Sequence, residues 1–305
     1  VSVHSRNPSR AEAFGRQQGF RRWAATVEEA VAGDDIDAVY VSSHNELHRD
    51  HVVAAARAGK HILAEKPLAL TMADARAMVA ACEVADVVLA TNHHLPASPV
   101  HLMMKELVAS GEIGKVRSVH VNHAVGLPDR LHGWRVDDPV GGGVVLDVFV
   151  HDVAAIAAII GGQAQTVLAA ARRGVDAPAA PNSVMTVVGW TDDVLVQTHD
   201  AYDNYDLPTS IELLGDKGAI RASNAMTGDP VGELRVHHGS ESTVIEIPNR
   251  RDLYLTAVEA FDAAIRGERT QPLVTAADGL RSLAAALAAQ ESLRTGATVA
   301  VERIV

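Results

Sequence analysis

Three side chains in this sequence have the types and positions to act on one carbonyl group. Lys66 stands in the run Ala64-Glu65-Lys66-Pro67-Leu68-Ala69, directly after an apolar stretch, and Asp147 and His151 follow the triple glycine Gly141-Gly142-Gly143. Reduction of a carbonyl by hydride transfer builds negative charge on oxygen, so a cation beside that oxygen and a nearby proton source both lower the barrier. Lys66 suits the first role and His151 the second, because histidine titrates close to working pH and a positioned acid is worth roughly 10²- to 10⁴-fold in rate. Asp147 precedes His151 by four residues. On a helix the two share a face, and the carboxylate either orients the imidazole or holds a substrate hydroxyl.

These groups need elements to carry them. Val1 to Ser5 reads as a strand, Pro8 to Gln18 as a helix with proline in its first turn, and Asp37 to Ser42 as a buried parallel strand. A helix from Glu46 to Ala58 closes at Gly59, His61 to Ala64 is a strand, Met72 to Ala85 is a helix capped by Thr71, and Val87 to Thr91 is another strand. That alternation is the signature of a parallel sheet with helices on both faces. Beyond Gly114 the rhythm changes. Lys115 to Val125, Thr166 to Arg173, Ser183 to Val188, Val194 to Thr198, Ser210 to Leu214 and Ala219 to Ala222 read as strands, mostly without intervening helices. Two alanine-rich helices, Leu253 to Arg266 and Ala276 to Gly296, and a strand from Thr298 to Val301 end the sequence. The expected fold is α/β. Residues 1–95 form a Rossmann-type parallel sheet without its first strand and glycine loop, which a C-terminal helix segment can complete. Residues 96–305 form an α+β domain with an open, mostly antiparallel sheet.

Composition excludes several function classes. The 305 residues carry a net charge of −11 and no basic cluster, which argues against a nucleic-acid partner. The apolar run from Val144 to Ile160 is broken by Asp147, His151 and Asp152, so it reads as a helix start and not as a membrane span. The single cysteine, Cys82, rules out a disulfide framework and reads as a small buried residue. With no signal-peptide pattern at Val1 to Pro8, the expected location is the cytoplasm. No G-x-S-x-G elbow occurs, which speaks against a serine hydrolase. The 15 histidines invite a metal, but Glu46 stands at the wrong position between His44 and His48 for a zincin helix. His93-His94 and His237-His238 would point to opposite sides of strands. No metal is expected.

The phosphate-binding pattern G-x-G-x-x-G does not occur in the sequence. Val1 to Ser5 nevertheless resembles the second strand of a nucleotide-binding sheet, after which the adenosine ribose is read. An NAD enzyme places an acidic side chain there. Ser5, Arg6 and Arg10 offer donors and positive charge instead, so a 2′-phosphate, and hence NADPH in preference to NADH, is expected.

Val41 through His48, Glu65-Lys66-Pro67, Thr91-Asn92-His93-His94, Gly133-Trp134-Arg135 and Leu146-Asp147 through His151-Asp152 together resemble the Gfo/Idh/MocA oxidoreductase family. The resemblance runs along essentially the whole chain. It implies a Rossmann domain, an α/β domain whose open sheet often supports dimers, and a site in the cleft between them. It also implies Lys66 as the carbonyl-binding lysine, His151 as the general acid/base and Asp147 as the substrate-orienting aspartate. Ser43, His44, Asn45, Glu46, Leu47 and His48 match the segment lining the cofactor, and Glu65, Lys66, Asn92, Trp134, Arg135 and Tyr254 match further cofactor-side positions. Where many members have glycine two residues after the aspartate, this chain has Phe149, expected to add bulk beside the substrate pocket. The implied activity is NADPH-dependent reduction of a sugar-derived ketone, with 1,5-anhydro-D-fructose the expected substrate. Oxidation of a sugar or inositol and a non-catalytic cofactor or sugar sensor stay open as alternatives, as do monomer and homo-oligomer.

Overall fold

The computed structural model describes residues 1–172, 180–204 and 206–305. The first part alternates strand and helix: β1 (Ser2–His4), α1 (Pro8–Gln17), β2 (Arg22–Ala24), α2 (Val27–Val31), β3 (Ala38–Val41), α3 (His48–Arg57), β4 (His61–Glu65), α4 (Met72–Val84) and β5 (Leu89–Asn92), of which β2 and α2 were not expected. All pairings here are parallel, in two separate sheets, β1–β2 and β3–β4–β5. Caps fix the helix starts. Asn7 accepts from the Arg10 amide before Pro8, and Thr71 Oγ1 accepts from the Asp74 amide, each supplying one of the acceptors that a helix start lacks. The helix expected from Glu46 begins instead with a tight turn, Asn45–Leu47, that leads into α3.

Helix α5 (Pro99–Ala109) leads to the second sheet, with strands β6 (Val116–Ala124), β7 (Ala164–Ala171), β8 (Ser183–Trp190), β9 (Val194–Ala201), β10 (Ser210–Gly215), β11 (Ala219–Ser223), β12 (Glu233–His238), β13 (Glu241–Ile245) and β14 (Val299–Ala300). Their order is β13-β12-β11-β10-β6-β9-β8-β7-β14, and only β6 and β9 pair in parallel. Arg173, expected to end one of these strands, lies outside the described residues. A short helix α6 (Trp134–Asp137), α7 (Val150–Ile160), α8 (Leu253–Ile265) and α9 (Ala276–Thr295) complete the chain. One face of the large sheet packs on α7 and α9 through Val167, Val188, Ile156 and Leu283, all buried. The other face leaves Leu168, Met185, Val187 and Leu195 exposed.

The C-terminal helices return to the parallel sheet. Phe261 of α8 packs with Leu63 and Ala90, and Thr275, at the start of α9, bridges to Ala90. Among the described residues no helix is long and apolar enough to cross a membrane.

Candidate active site

Strand β4 is buried from Ile62 to Ala64 and delivers Lys66 at its C-terminal end, where ligands of parallel sheets collect. The Lys66-Pro67 peptide is cis. Behind this turn the fully buried ring of His48 lies between the carbonyl oxygens of Ser43 and Pro67, 3.1 and 3.0 Å away. His48 therefore fastens the lysine turn to the β3 loop, with both ring nitrogens set against main-chain carbonyls.

Asp147 arrives by a compact path. After α6 the chain folds back so tightly at Gly142 that a Cβ there would lie 2.5 Å from the Trp134 carbonyl oxygen and 2.6 Å from that of Asp138. A π-helical turn, Val145–Phe149, follows and runs directly into α7. Lys66 Nζ donates to Asp147 Oδ1 at 2.7 Å and to its main-chain oxygen at 2.6 Å. Arg135 Nε and the Tyr202 hydroxyl donate to Asp147 Oδ2 at 3.1 and 2.7 Å. Burial works to raise the Asp147 pKa, yet the charges of Lys66 and Arg135 and these hydrogen bonds hold it down at about 2. The carboxylate is thus an ionised anchor for two cations. It makes no hydrogen bond to His151, so of its two expected roles, orienting the imidazole has no contact behind it.

His151, one turn further on, is set among other imidazoles. Its Nδ1 lies 3.2 Å from His93 Nδ1, and the His94 ring packs edge-on against it with 4.5 Å between centroids. Tyr254 of α8 stacks on His94 at 5.0 Å. His93 and His94 follow β5 outside the strand, and both turn toward His151. The expectation that they point to opposite sides of a strand is therefore corrected. The pair His237-His238 does lie in a strand, β12. Burial, reinforced by the Lys66 charge, pushes His151 well below the usual imidazole range and brings His93 and His94 down to about 3.

Lys66, Asp147, His151, His94, Arg135 and Tyr254 line one cleft of about 630 Å³, together with His123 and Asn204. Phe149 is fully buried and is absent from this lining, where Val148 stands instead. The expected bulk beside the substrate pocket is therefore corrected: the ring fills core behind the π turn.

Residues 1–93 match the oxidoreductase family with an NAD-binding Rossmann fold, and residues 101–221 match the GFO/IDH/MocA C-terminal domain. The chain belongs to the Gfo/Idh/MocA oxidoreductase family. It is 40% identical over 304 residues, 99% of the chain and 91% of the relative, to 1,5-anhydro-D-fructose reductase of Ensifer adhaerens. To D-xylose 1-dehydrogenase (NADP(+)) 2 of Haloferax volcanii it is 30% identical, over 99% of the chain and 92% of the relative. The crystal structure of aldose-aldose oxidoreductase from Caulobacter crescentus complexed with glycerol superimposes with a TM-score of 0.88 at 25% identity, covering 99% of this chain and 91% of that one.

Members of the Gfo/Idh/MocA family bind a nicotinamide cofactor, and the residues present fit one. Ser43 Oγ, just past β3, and Asn92 Oδ1, at the end of β5, are buried without a hydrogen-bond partner, at the sheet edge where a dinucleotide lies. Ser5 and Arg6 follow β1 and Arg10 lies in the first turn of α1, with Arg6 3.9 Å from Glu46. Asn45 donates to the Gly141 carbonyl at 3.0 Å and so ties the β3 loop to the glycine turn. His44, exposed, faces Trp134 with centroids 6.1 Å apart, and the Arg135 guanidinium lies over the Trp134 ring. Leu47 is half-buried. Glu65 is occupied internally: it accepts from Asn92 Nδ2 at 2.7 Å and from the Tyr40 hydroxyl. Burial and that carboxylate raise the Tyr40 pKa.

Sequence reasoning missed Tyr202, the third donor to Asp147, and it missed an acidic group behind the cleft. His123 Nδ1 lies 2.6 Å from Asp152 Oδ1, and Thr198 donates to Asp200 at 2.6 Å. His123, Asp152 and Asp200 place ligand atoms within 4.8 Å of one another, so among the described residues they are the set whose spacing a cation could use. Burial drives both carboxyls upward, and Asp152 raises Asp200 further. A pair of carboxyls sharing one proton satisfies that environment without a metal. Adjacent His151-Asp152 was the visible signal, but Asp200 comes from a distant strand.

Proposed function

We propose that this chain is an NADPH-dependent reductase of a sugar-derived ketone, with 1,5-anhydro-D-fructose reduced at C2 to 1,5-anhydro-D-mannitol. The observation that carries this reading is the donor count on Lys66. An ammonium has three N–H donors, and Asp147 accepts two of them. One is left to meet a substrate carbonyl oxygen in the cleft.

A bound nicotinamide supplies the hydride. The chain's own residues do the rest. Lys66 holds the carbonyl oxygen and opposes the charge that grows on it, Asp147 fixes Lys66, and His151 as imidazolium releases its proton to that oxygen, leaving neutral imidazole and the alcohol. Arg135, His123 and Asn204 line the same cleft and suit the hydroxyls of a sugar ring. Ser5, Arg6 and Arg10 support the 2′-phosphate of NADPH over NADH. The surrounding cytoplasm is the matching location. The apolar stripe of Leu168, Met185, Val187 and Leu195 supports a homo-oligomer through the second sheet, tested by sedimentation equilibrium, where a monomer at micromolar concentration would rule it out.

One observation favours a second reading. The low pKa of His151 keeps it neutral at working pH, and neutral imidazole is the base required for oxidation of a sugar hydroxyl. Initial rates with 1,5-anhydro-D-fructose, D-xylose and myo-inositol, in both directions and with both cofactors, separate the two. Turnover of the ketone with NADPH, rising as pH falls, supports the reductase. Turnover only of an alcohol with an oxidised cofactor overturns it.

A further inference from the structure

Resting on that reading of His151, a three-residue chain behind it defines its hydrogen-bonding state. His151 Nδ1 lies 3.2 Å from His93 Nδ1, and His93 Nε2 lies 3.1 Å from Ser282 Oγ. Ser282 Oγ donates to the Gly279 carbonyl at 3.0 Å within α9. His93 and Ser282 are almost completely buried, so no water competes for these positions.

We propose that Ser282 and His93 are positioning residues that hold neutral His151 in the tautomer with its proton on Nδ1, so that Nε2 is a bare nitrogen free to exchange a proton with substrate. The bonds leave this order of protons. With its own proton committed to Gly279, Ser282 can only accept from His93, so His93 carries its proton on Nε2 and its Nδ1 is an acceptor. Two ring nitrogens facing each other need one proton between them, and His151 must supply it from Nδ1. The cleft gives a second reason: it also holds the Lys66 ammonium, which favours a lone pair over an N–H. In the reductive direction a proton picked up on Nε2 makes an imidazolium whose Nδ1–H still has its acceptor.

The backbone is shaped for this contact. A Cβ on Gly279 would collide with Thr91 Oγ1 of β5. Glycine there lets α9 approach closely enough for Ser282 to reach the residue that follows β5. The groups facing His151 are Lys66 from the turn after β4, His93 and His94 after β5, His123 of β6 and Asp147 of the π turn. Asp152, next to it on α7, is turned to His123. None of the carboxylates bonds the imidazole, and His93 is its one hydrogen-bond partner among the described residues.

The test is a long-range proton–nitrogen correlation spectrum of protein labelled in its histidine rings, near neutral pH, with His93→Phe and His151→Asn spectra as assignments. The expected result is His151 protonated at Nδ1 and His93 protonated at Nε2. The opposite pattern overturns the proposal. In Ser282→Ala the His93 Nε2–H loses its acceptor, and kcat falls about 10-fold with a displaced pH profile while cofactor KM stays within about twofold. Ser282→Thr, which keeps the hydroxyl, restores the profile. An unchanged profile and unchanged tautomers in Ser282→Ala overturn the proposal, whereas full turnover by His151→Asn with the expected tautomers overturns only the catalytic role of His151.

Discussion

Replacing Asp147 by Asn keeps the shape of the side chain and removes its charge. In the wild-type protein this carboxylate, only 11% exposed, meets Lys66, Arg135 and Tyr202 at once. Its pKa of about 2, against 3.8 for the free group, corresponds to about 2.5 kcal/mol at about 1.4 kcal/mol for each tenfold change in proton affinity. Because the folded-state pKa is depressed, this stability is fully present above pH ~4 and is lost as pH falls toward ~2. The variant should therefore melt about 4 °C lower at neutral pH, and the gap should close on acidification below pH ~4. Lys66 keeps the main-chain oxygen of residue 147 but loses its ionic partner, so its ammonium is free to drift from the carbonyl position. A displacement of about 1 Å costs on the order of 10²-fold in kcat, with cofactor KM unchanged. Thermal melts from pH 3 to 8 and steady-state kinetics give both numbers. A variant with wild-type melting temperature and wild-type kcat would refute the anchoring argument.

Two further outcomes follow from other contacts. Replacing Arg6 and Arg10 together by Ala should raise KM for NADPH about 10-fold or more and leave NADH nearly unaffected, and equal effects on the two cofactors would remove the 2′-phosphate argument. The Asp152 and Asp200 carboxyls are raised by burial, so their contribution to stability is greatest while a proton is held and is lost as pH rises from ~4 through the folded-state value. Asp200→Asn supplies a permanent donor to Asp152 and should flatten that decline in melting curves between pH 5 and 9, and a variant that tracks wild type across the range would show that the pair shares no proton.

Local signals carried much of the fold. Thr71 and Thr275 start helices where a hydroxyl precedes an apolar-periodic run, and β3 to β5 were readable as buried runs at βα spacing. The elements that went unread are those whose signal is weak or composite. Strand β2 is three residues with Arg22 and Trp23 exposed, so it has no buried run. The hairpin of β12 and β13 alternates only at Leu234 and Val236. Helix α5 did carry a signal, the Ser98-Pro99 start with proline at its first position. In the site, Lys66 stood out because it follows β4 beside a proline, and Asp147 and His151 because they lie four residues apart after a triple glycine. Tyr202, Asp200 and Ser282 did not, because they reach Asp147, Asp152 and His93 from the end of β9 and from α9 through contacts that only the folded sheet creates. The contacts of His48 were hidden for a similar reason: its ring points back into the lysine turn, between main-chain carbonyls that only the fold brings together.

The most direct test of the account is single-turnover hydride transfer from bound NADPH to 1,5-anhydro-D-fructose in wild type and in Lys66→Met, with cofactor affinity measured alongside. Loss of the oxyanion donor predicts a rate lower by on the order of 10³-fold at cofactor affinity within about threefold of wild type. Transfer at the wild-type rate in Lys66→Met would contradict the assignment of the carbonyl to Lys66 and, with it, the mechanism built on this cleft.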